Sequence, residues 1–84
     1  MLYYVYILKS LQNGRYYVGQ TNDLKKRLSR HNTGSEPATS PYVPWEIIWH
    51  TTKPSRAESI ELERKLKNLS RIRLETFIKK YGGS

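Results

Sequence analysis

Two tyrosines, Tyr6 and Tyr17, an arginine, Arg27, and a histidine, His31, are the side chains whose types and spacing suit work on a phosphodiester. Tyr6 closes the triplet Tyr4-Val5-Tyr6 and Tyr17 opens the triplet Tyr17-Val18-Gly19, on either side of an Asn13-Gly14 pair. Arg27 and His31 stand one helical turn apart shortly afterwards, and the planar fork of an arginine grips phosphate well. An acidic residue, Glu63, lies far downstream. These groups fall on separate stretches of chain, so any chemistry depends on elements that bring them to one face.

The pattern of side chains predicts those elements. Leu2 to Leu8 is rich in aromatic and β-branched residues and reads as a strand. Asn13-Gly14 is a strong signal for a two-residue hairpin turn with positive φ at both positions, which makes Tyr16 to Thr21 the returning strand. Asn22 or Thr21 can cap a helix with Asp23 in its first turn, Leu24 and Leu28 on its inner side, and Gly34 at its end. Gly34, Pro37, Pro41 and Pro44 make residues 33 to 44 an exposed, irregular loop. Trp45 to His50 is a third strand, with Pro44 at its edge. A helix from about Arg56 has Ser59, Leu62, Leu66 and Leu69 at helical spacing. Another, from about Ser70 to Tyr81, uses Ile72, Leu74, Phe77 and Ile78, and residues 81 to 84 form a frayed tail.

A two-residue turn at Asn13-Gly14 pairs Ser10 with Tyr17, Leu8 with Gly19 and Tyr6 with Thr21. Side chains alternate along a strand, so Tyr6, Tyr17, Gly19 and Thr21 share one sheet face. In that register the two tyrosines stand about four residues apart, or roughly 13 Å, with Gly19 leaving an open floor between them. At about 100° per residue, Arg27 and His31 border the apolar stripe of their helix, while Lys25, Lys26 and Arg30 lie away from it. The same tyrosines also suit an amphipathic sheet edge. The same helix also suits a snorkelling arginine and a hydrogen-bonded histidine.

Bulk properties bound the function classes. The 84 residues allow one small domain, residues 1 to 84, with a modest core. No cysteine is present, which excludes a disulfide framework, a thiolate zinc site and a cysteine nucleophile. No stretch approaches the roughly 20 apolar residues of a membrane span and no leader is apparent, so a cytoplasmic protein with no membrane partner is expected. Fifteen Lys and Arg against seven Asp and Glu give a net charge of +8, a field that attracts polyanions. The charge is concentrated in the predicted helices. The alternative is a set of solvated basic helix faces.

The ordered set Tyr4-Val5-Tyr6, Tyr17-Val18-Gly19, Gln20-Thr21, Asp23-Leu24 through Arg27-Leu28, His31-Asn32 and the helix from Arg56-Ala57-Glu58 to Leu66-Lys67 resembles the GIY-YIG nucleases. It is most similar to their small stand-alone bacterial members. The resemblance spans nearly the whole chain and implies an α+β fold, a three-stranded antiparallel sheet in the order 2-1-3 flanked by about three helices. It also implies an endonuclease that hydrolyses DNA phosphodiesters with Mg²⁺ or Mn²⁺, on branched or damaged DNA and in DNA repair. Tyr6 and Tyr17 match the signature tyrosines, Arg27 the phosphate-binding arginine, and His31 the group that orients or exchanges protons. Glu63 matches the metal-binding glutamate and Gly19 a structural glycine of the site.

Physical reasoning alone does not single out Glu63. It sits about 90° from the stripe formed by Leu62, Leu66 and Leu69, Glu58 is nearer that stripe, and Lys67 is an ordinary i,i+4 partner. Lys25, Lys26, Arg30 and Lys67 are expected to contact nucleic acid, and the residues leave open which tyrosine is the base. The sequence departs from the family pattern at Tyr4, where a glycine is usual. It also departs in the loop from Thr33 to Trp45, which has Glu36 and no Lys or Arg. These departures keep a second expectation in play, a catalytically weak or inactive nucleic-acid-binding module that needs a protein partner for specificity.

Overall fold

Four consecutive residues, Val5, Tyr6, Ile7 and Leu8, are each at most 1% exposed, so the strand that carries them has to be covered on both faces. The computed structural model, which describes residues 2–82, shows how. Strands β1 (Tyr3–Ser10), β2 (Tyr16–Thr21) and β3 (Trp45–Lys53) form one antiparallel sheet in the expected order β2-β1-β3, with β1 in the centre. Helices α1 (Leu24–Asn32), α2 (Arg56–Lys67) and α3 (Arg71–Tyr81) flank it. One face carries Tyr6 and Leu8 against Leu24 and Leu28 of α1, joined by Tyr42, Val43 and Trp45. The other carries Val5, Ile7 and Val18 against Leu62 and Leu66 of α2 and Leu74, Phe77 and Ile78 of α3. Among the described residues no helix is long and apolar enough to cross a membrane.

The hairpin turn differs from the expected two-residue form. Ser10 N–H donates to the Arg15 carbonyl at 2.8 Å and Gly14 N–H to the Ser10 carbonyl at 2.9 Å, leaving Leu11 to Gly14 as the loop. The Ser10 hydroxyl accepts from the N–H groups of Gln12 and Asn13, so the chain starts to wind before Gly14 reverses it at φ +78°. Asn13 keeps a negative φ and instead accepts the Arg15 N–H on its side-chain oxygen. Tyr6 consequently faces Gly19, Leu8 faces Tyr17 and Tyr4 faces Thr21. This slip of two residues preserves side-chain parity, so Tyr6, Tyr17, Gly19 and Thr21 share a face as expected. Tyr6 and Tyr17 are two residues apart along the ladder rather than four, or about 7 Å.

β3 pairs with β1 through a bulge, since Ile7 faces Trp49 while the next residue, Leu8, faces Ile47. The extra residue, Ile48, flips parity. Trp45 and Trp49 are four residues apart and would share a face in a regular strand. Here Trp45 joins the Tyr6 side and Trp49 the Val5 side.

Four other expectations are corrected. Asp23 caps α1, its carboxylate accepting the Lys26 N–H, while Thr21 accepts the Asp23 N–H. Ile72 is 76% exposed because it lies on the side of α3 opposite Leu74. Residues 33 to 44 include a 3-10 turn at Ser40–Tyr42 and the fully buried Thr39, so they form a packed arm rather than a wholly exposed loop. Of the expected tail, Tyr81 stacks on Phe77 within α3 and Gly82 caps that helix; residues 83 and 84 lie outside the described residues.

Gly19 provides no open floor. A Cβ there would come within 2.6 Å of Tyr6 Cζ and contact its hydroxyl, because the ring lies across the glycine. Gly19→Ala is expected to lower unfolding free energy in urea by about 1–3 kcal/mol, the range for overpacking. The same change made in a Tyr6→Phe background, which lacks the colliding oxygen, should cost measurably less.

Candidate active site

Tyr6 is 1% exposed, so its hydroxyl requires an internal partner. His31 of α1 supplies it, with Nε2 2.9 Å from Tyr6 Oη. The wheel placed His31 at the border of the apolar stripe, but the structure buries it to 1% exposure. Its other nitrogen, Nδ1, lies 2.8 Å from the Thr39 hydroxyl oxygen. The Thr39 hydroxyl donates to the Glu36 carbonyl at 3.4 Å, and the Trp45 indole N–H donates to the Thr39 carbonyl at 2.9 Å. Thr39 therefore receives the Nδ1–H of His31. A neutral imidazole has one N–H, which leaves Nε2 to accept the Tyr6 O–H.

Tyr17, half-buried on β2, meets His31 edge-on with ring centroids 5.0 Å apart, and Tyr6 does so at 5.9 Å. The imidazole thus bridges both signature tyrosines. Burial is the main force raising the Tyr6 phenol above its ordinary value; Tyr17, Glu63 and Glu36 push the same way and Arg27 opposes them. The phenol stays protonated and acts as a donor. Burial also lowers His31, with Arg27 and Arg30 adding to the shift and Glu36 opposing it, so the ring is neutral at neutral pH.

Arg27 stays one-third exposed at the entrance, with Nη1 3.8 Å from the Glu36 carboxylate. Arg30 approaches the same oxygen at 3.1 Å. Glu36, which gave the arm its acidic character, thereby ties the arm to α1. Lys26, Arg27 and Arg30 line a cleft of about 160 Å³ beside the start of the helix together with one acid, Asp23, which leaves the lining net positive, as a phosphate would require. Lys25 lies elsewhere, in a groove with Tyr4, Leu24, Leu28 and Ile47, and does not join this cluster.

Glu63 of α2 is 20% exposed at its side chain and meets Lys67 Nζ at 3.5 Å. Lys67 in turn sits 5.8 Å from the Tyr17 ring centroid, and the Glu63 carboxylate is near enough to act on the Tyr6 phenol. Through Lys67, Glu63 is linked to Tyr17 at the β2 edge, although α2 packs on the other sheet face. Among the described residues no three His, Asp or Glu side chains gather as a metal cage. One carboxylate beside an open cleft still suits a Mg²⁺-type ion, which keeps several waters and takes substrate phosphate as a ligand.

Thr39 is the site residue that sequence reasoning missed. A threonine in a proline-rich segment carries no periodic signal, and its role exists only once the arm folds onto α1. Thr39→Val keeps the shape and removes the acceptor for Nδ1–H, so it should cost about 1–3 kcal/mol in urea unfolding. The linkage at His31 has a definite sign: the unfolded histidine, near 6.5, takes a proton that the folded one resists. Its stabilisation is complete above about pH 6.5 and declines as pH falls below it. His31→Gln should flatten that decline in a Tm–pH profile.

A family model for the GIY-YIG catalytic domain matches residues 2–81. The UPF0213 protein BH0048 of Halalkalibacterium halodurans is 32% identical over 84 residues, covering 99% of this chain and 88% of that protein. A UPF0213 protein of Bacillus pumilus is 34% identical over 77 residues, 90% of this chain and 78% of its own. The solution NMR structure of BH0048 superposes with a TM-score of 0.65, again covering 99% of this chain and 88% of that one.

Proposed function

The chain belongs to the GIY-YIG catalytic domain family, a nuclease-type hydrolase family, and from that premise we propose that it is a divalent-metal-dependent endonuclease that cuts DNA phosphodiesters, acting in the cytoplasm on branched or damaged DNA. The observation that carries this reading is the convergence of Tyr6 and Tyr17 on one buried imidazole, beside a cationic cleft and one mostly buried carboxylate. Arg27, with Lys26 and Arg30, grips the scissile phosphate. Tyr17 is the tyrosine that contacts the attacking water, because it lines an open groove while Tyr6 is sealed and its hydroxyl is held in a hydrogen bond to His31. Tyr6, His31 and Thr39 hold Tyr17 and α1 in register. Glu63 would hold Mg²⁺ or Mn²⁺, which supplies charge stabilisation at the phosphate and leaving oxygen.

A second reading has its own observation. Arg27 is paired with Glu36 and Glu63 with Lys67, so both key charges are engaged, as in a binding module whose catalysis needs a protein partner. Magnitudes favour the first reading. The Arg27–Glu36 pair is long, at 3.8 Å, and partly solvated, whereas a phosphate offers Arg27 a charge-assisted bidentate bond, so substrate can displace Glu36.

The test incubates the protein with single-stranded, duplex, flap and junction DNA, and with RNA, in Mg²⁺ or Mn²⁺. Wild type is expected to cleave at least one DNA. Glu63→Gln and Tyr17→Phe should each lower the rate by about 100-fold or more, while salt-sensitive binding persists. Cleavage that survives Glu63→Gln overturns the metal role, and the absence of cleavage by wild type favours the binding module.

A further inference from the structure

A groove of about 480 Å³ runs along the free edge of β2, between the hairpin and the corner where α2 meets α3. Its floor includes Val18 and Leu66, and its walls are Tyr16 and Tyr17. Consecutive residues of a strand point to opposite faces, so the two rings stand on either side of the sheet edge and the groove wraps around it. Arg15, Lys67 and Arg71 form the rim, and no carboxylate belongs to the lining. The acids that touch lining residues are engaged: Glu75 accepts the Tyr16 hydroxyl at 2.9 Å and Glu63 pairs with Lys67.

The rim cations are exposed, and each lies near an aromatic ring. Arg71 lies 5.1 Å from the Tyr16 centroid, Lys67 5.8 Å from Tyr17, and Arg15 4.5 Å from Tyr42. The hydrogen-bond alternation that begins at the Ser10–Arg15 pair turns the backbone N–H and C=O of Tyr16 and Val18 outward from the sheet, toward the groove. Apolar floor, aromatic walls, outward backbone polar groups and a cationic rim together match a planar heterocycle flanked by phosphates. The volume is that of a cube of about 8 Å on a side, within the usual range for ligand pockets. A duplex, whose major groove alone is about 12 Å wide, is too broad to enter.

We infer that this groove binds an unpaired nucleotide adjoining the phosphodiester to be cut, with its base against the Tyr16 or Tyr17 ring at the β2 edge and its phosphates on Arg15, Lys67 and Arg71. The adjacency rests on the nuclease reading, because Tyr17 and Lys67 belong to both groove and candidate site. The consequence is a substrate class: single-stranded, frayed or overhanging nucleic acid is selected over intact duplex.

The test measures fluorescence anisotropy with the full chain in EDTA at fixed salt, using a labelled single strand, a blunt duplex and the same duplex with an overhang, each as DNA and as RNA. Wild type should bind the single strand and the overhang at least about 10-fold more tightly than the blunt duplex. Arg71→Gln and Arg15→Gln, both on the exposed rim, should each weaken single-strand binding several-fold, and Tyr16→Leu should erase the preference. Should Tyr16→Leu fail to fold by circular dichroism, photocrosslinking of a 5-iodouracil strand to wild type replaces it, with adducts expected at Tyr16 or Tyr17. Equal wild-type affinity for single strand and duplex, unchanged binding by Arg71→Gln, or adducts confined to other residues overturns the groove. The DNA and RNA arms identify which sugar the site accepts. Selective binding without cleavage in Mg²⁺ or Mn²⁺ overturns the nuclease reading alone, whereas cleavage with no preference for unpaired strands overturns the groove alone.

Discussion

The ring of Tyr6 crossing Gly19 is the contact on which the rest of this structure depends. A tyrosine on the central strand, covered on both sides, needs a neighbour without a side chain, and the register that sets Gly19 opposite provides one. Burying its hydroxyl then creates an obligation that His31 meets, and the burial of His31 creates another that Thr39 meets. Each link is a polar group out of water, costly to leave unpaired. The chain of obligations draws α1 onto the sheet and the proline-rich arm onto α1. What fixes the catalytic candidates in place is therefore also part of what holds this side of the fold together.

The site divides into a dry half and an open half. Tyr6, His31 and Thr39 are sealed, and burial holds the phenol protonated and the imidazole neutral. Arg27 and Tyr17 keep access to solvent, and the Glu63–Lys67 pair stands beside Tyr17 at the rim of the β2 edge. A rigid interior under a reactive rim is how a domain this small can position charged groups with few residues. Pairing Arg27 with Glu36 and Glu63 with Lys67 neutralises the rim with bonds weak enough for a polyanion to replace, in keeping with a surface whose net charge is +8.

Several of these features could be read without coordinates because they follow from local rules. The alternation in Leu2 to Leu8, the glycine of the turn and the leucine spacing of the helices each act within a few residues. The shared face of Tyr6, Tyr17 and Gly19 survived an incorrect turn type because the slip was even. An odd slip would have scattered them. The bulge at Ile48, by contrast, has no mark in the sequence, although it sends Trp45 and Trp49 to opposite faces.

By itself the sequence determined the elements, the sheet face that carries the tyrosines, the basic field and the family to which the ordered triplets belong. The tertiary structure decided which of those groups meet: that Gly19 lies under Tyr6, that His31 is interior rather than at an edge, that Thr39 anchors it, and that Glu63 pairs with the Lys67 that lies beside Tyr17. The reason is physical. Periodicity and capping report interactions within one or two turns of chain, whereas burial and hydrogen-bond satisfaction here join residues as far apart as Tyr16 and Glu75, and are set only when the layers close.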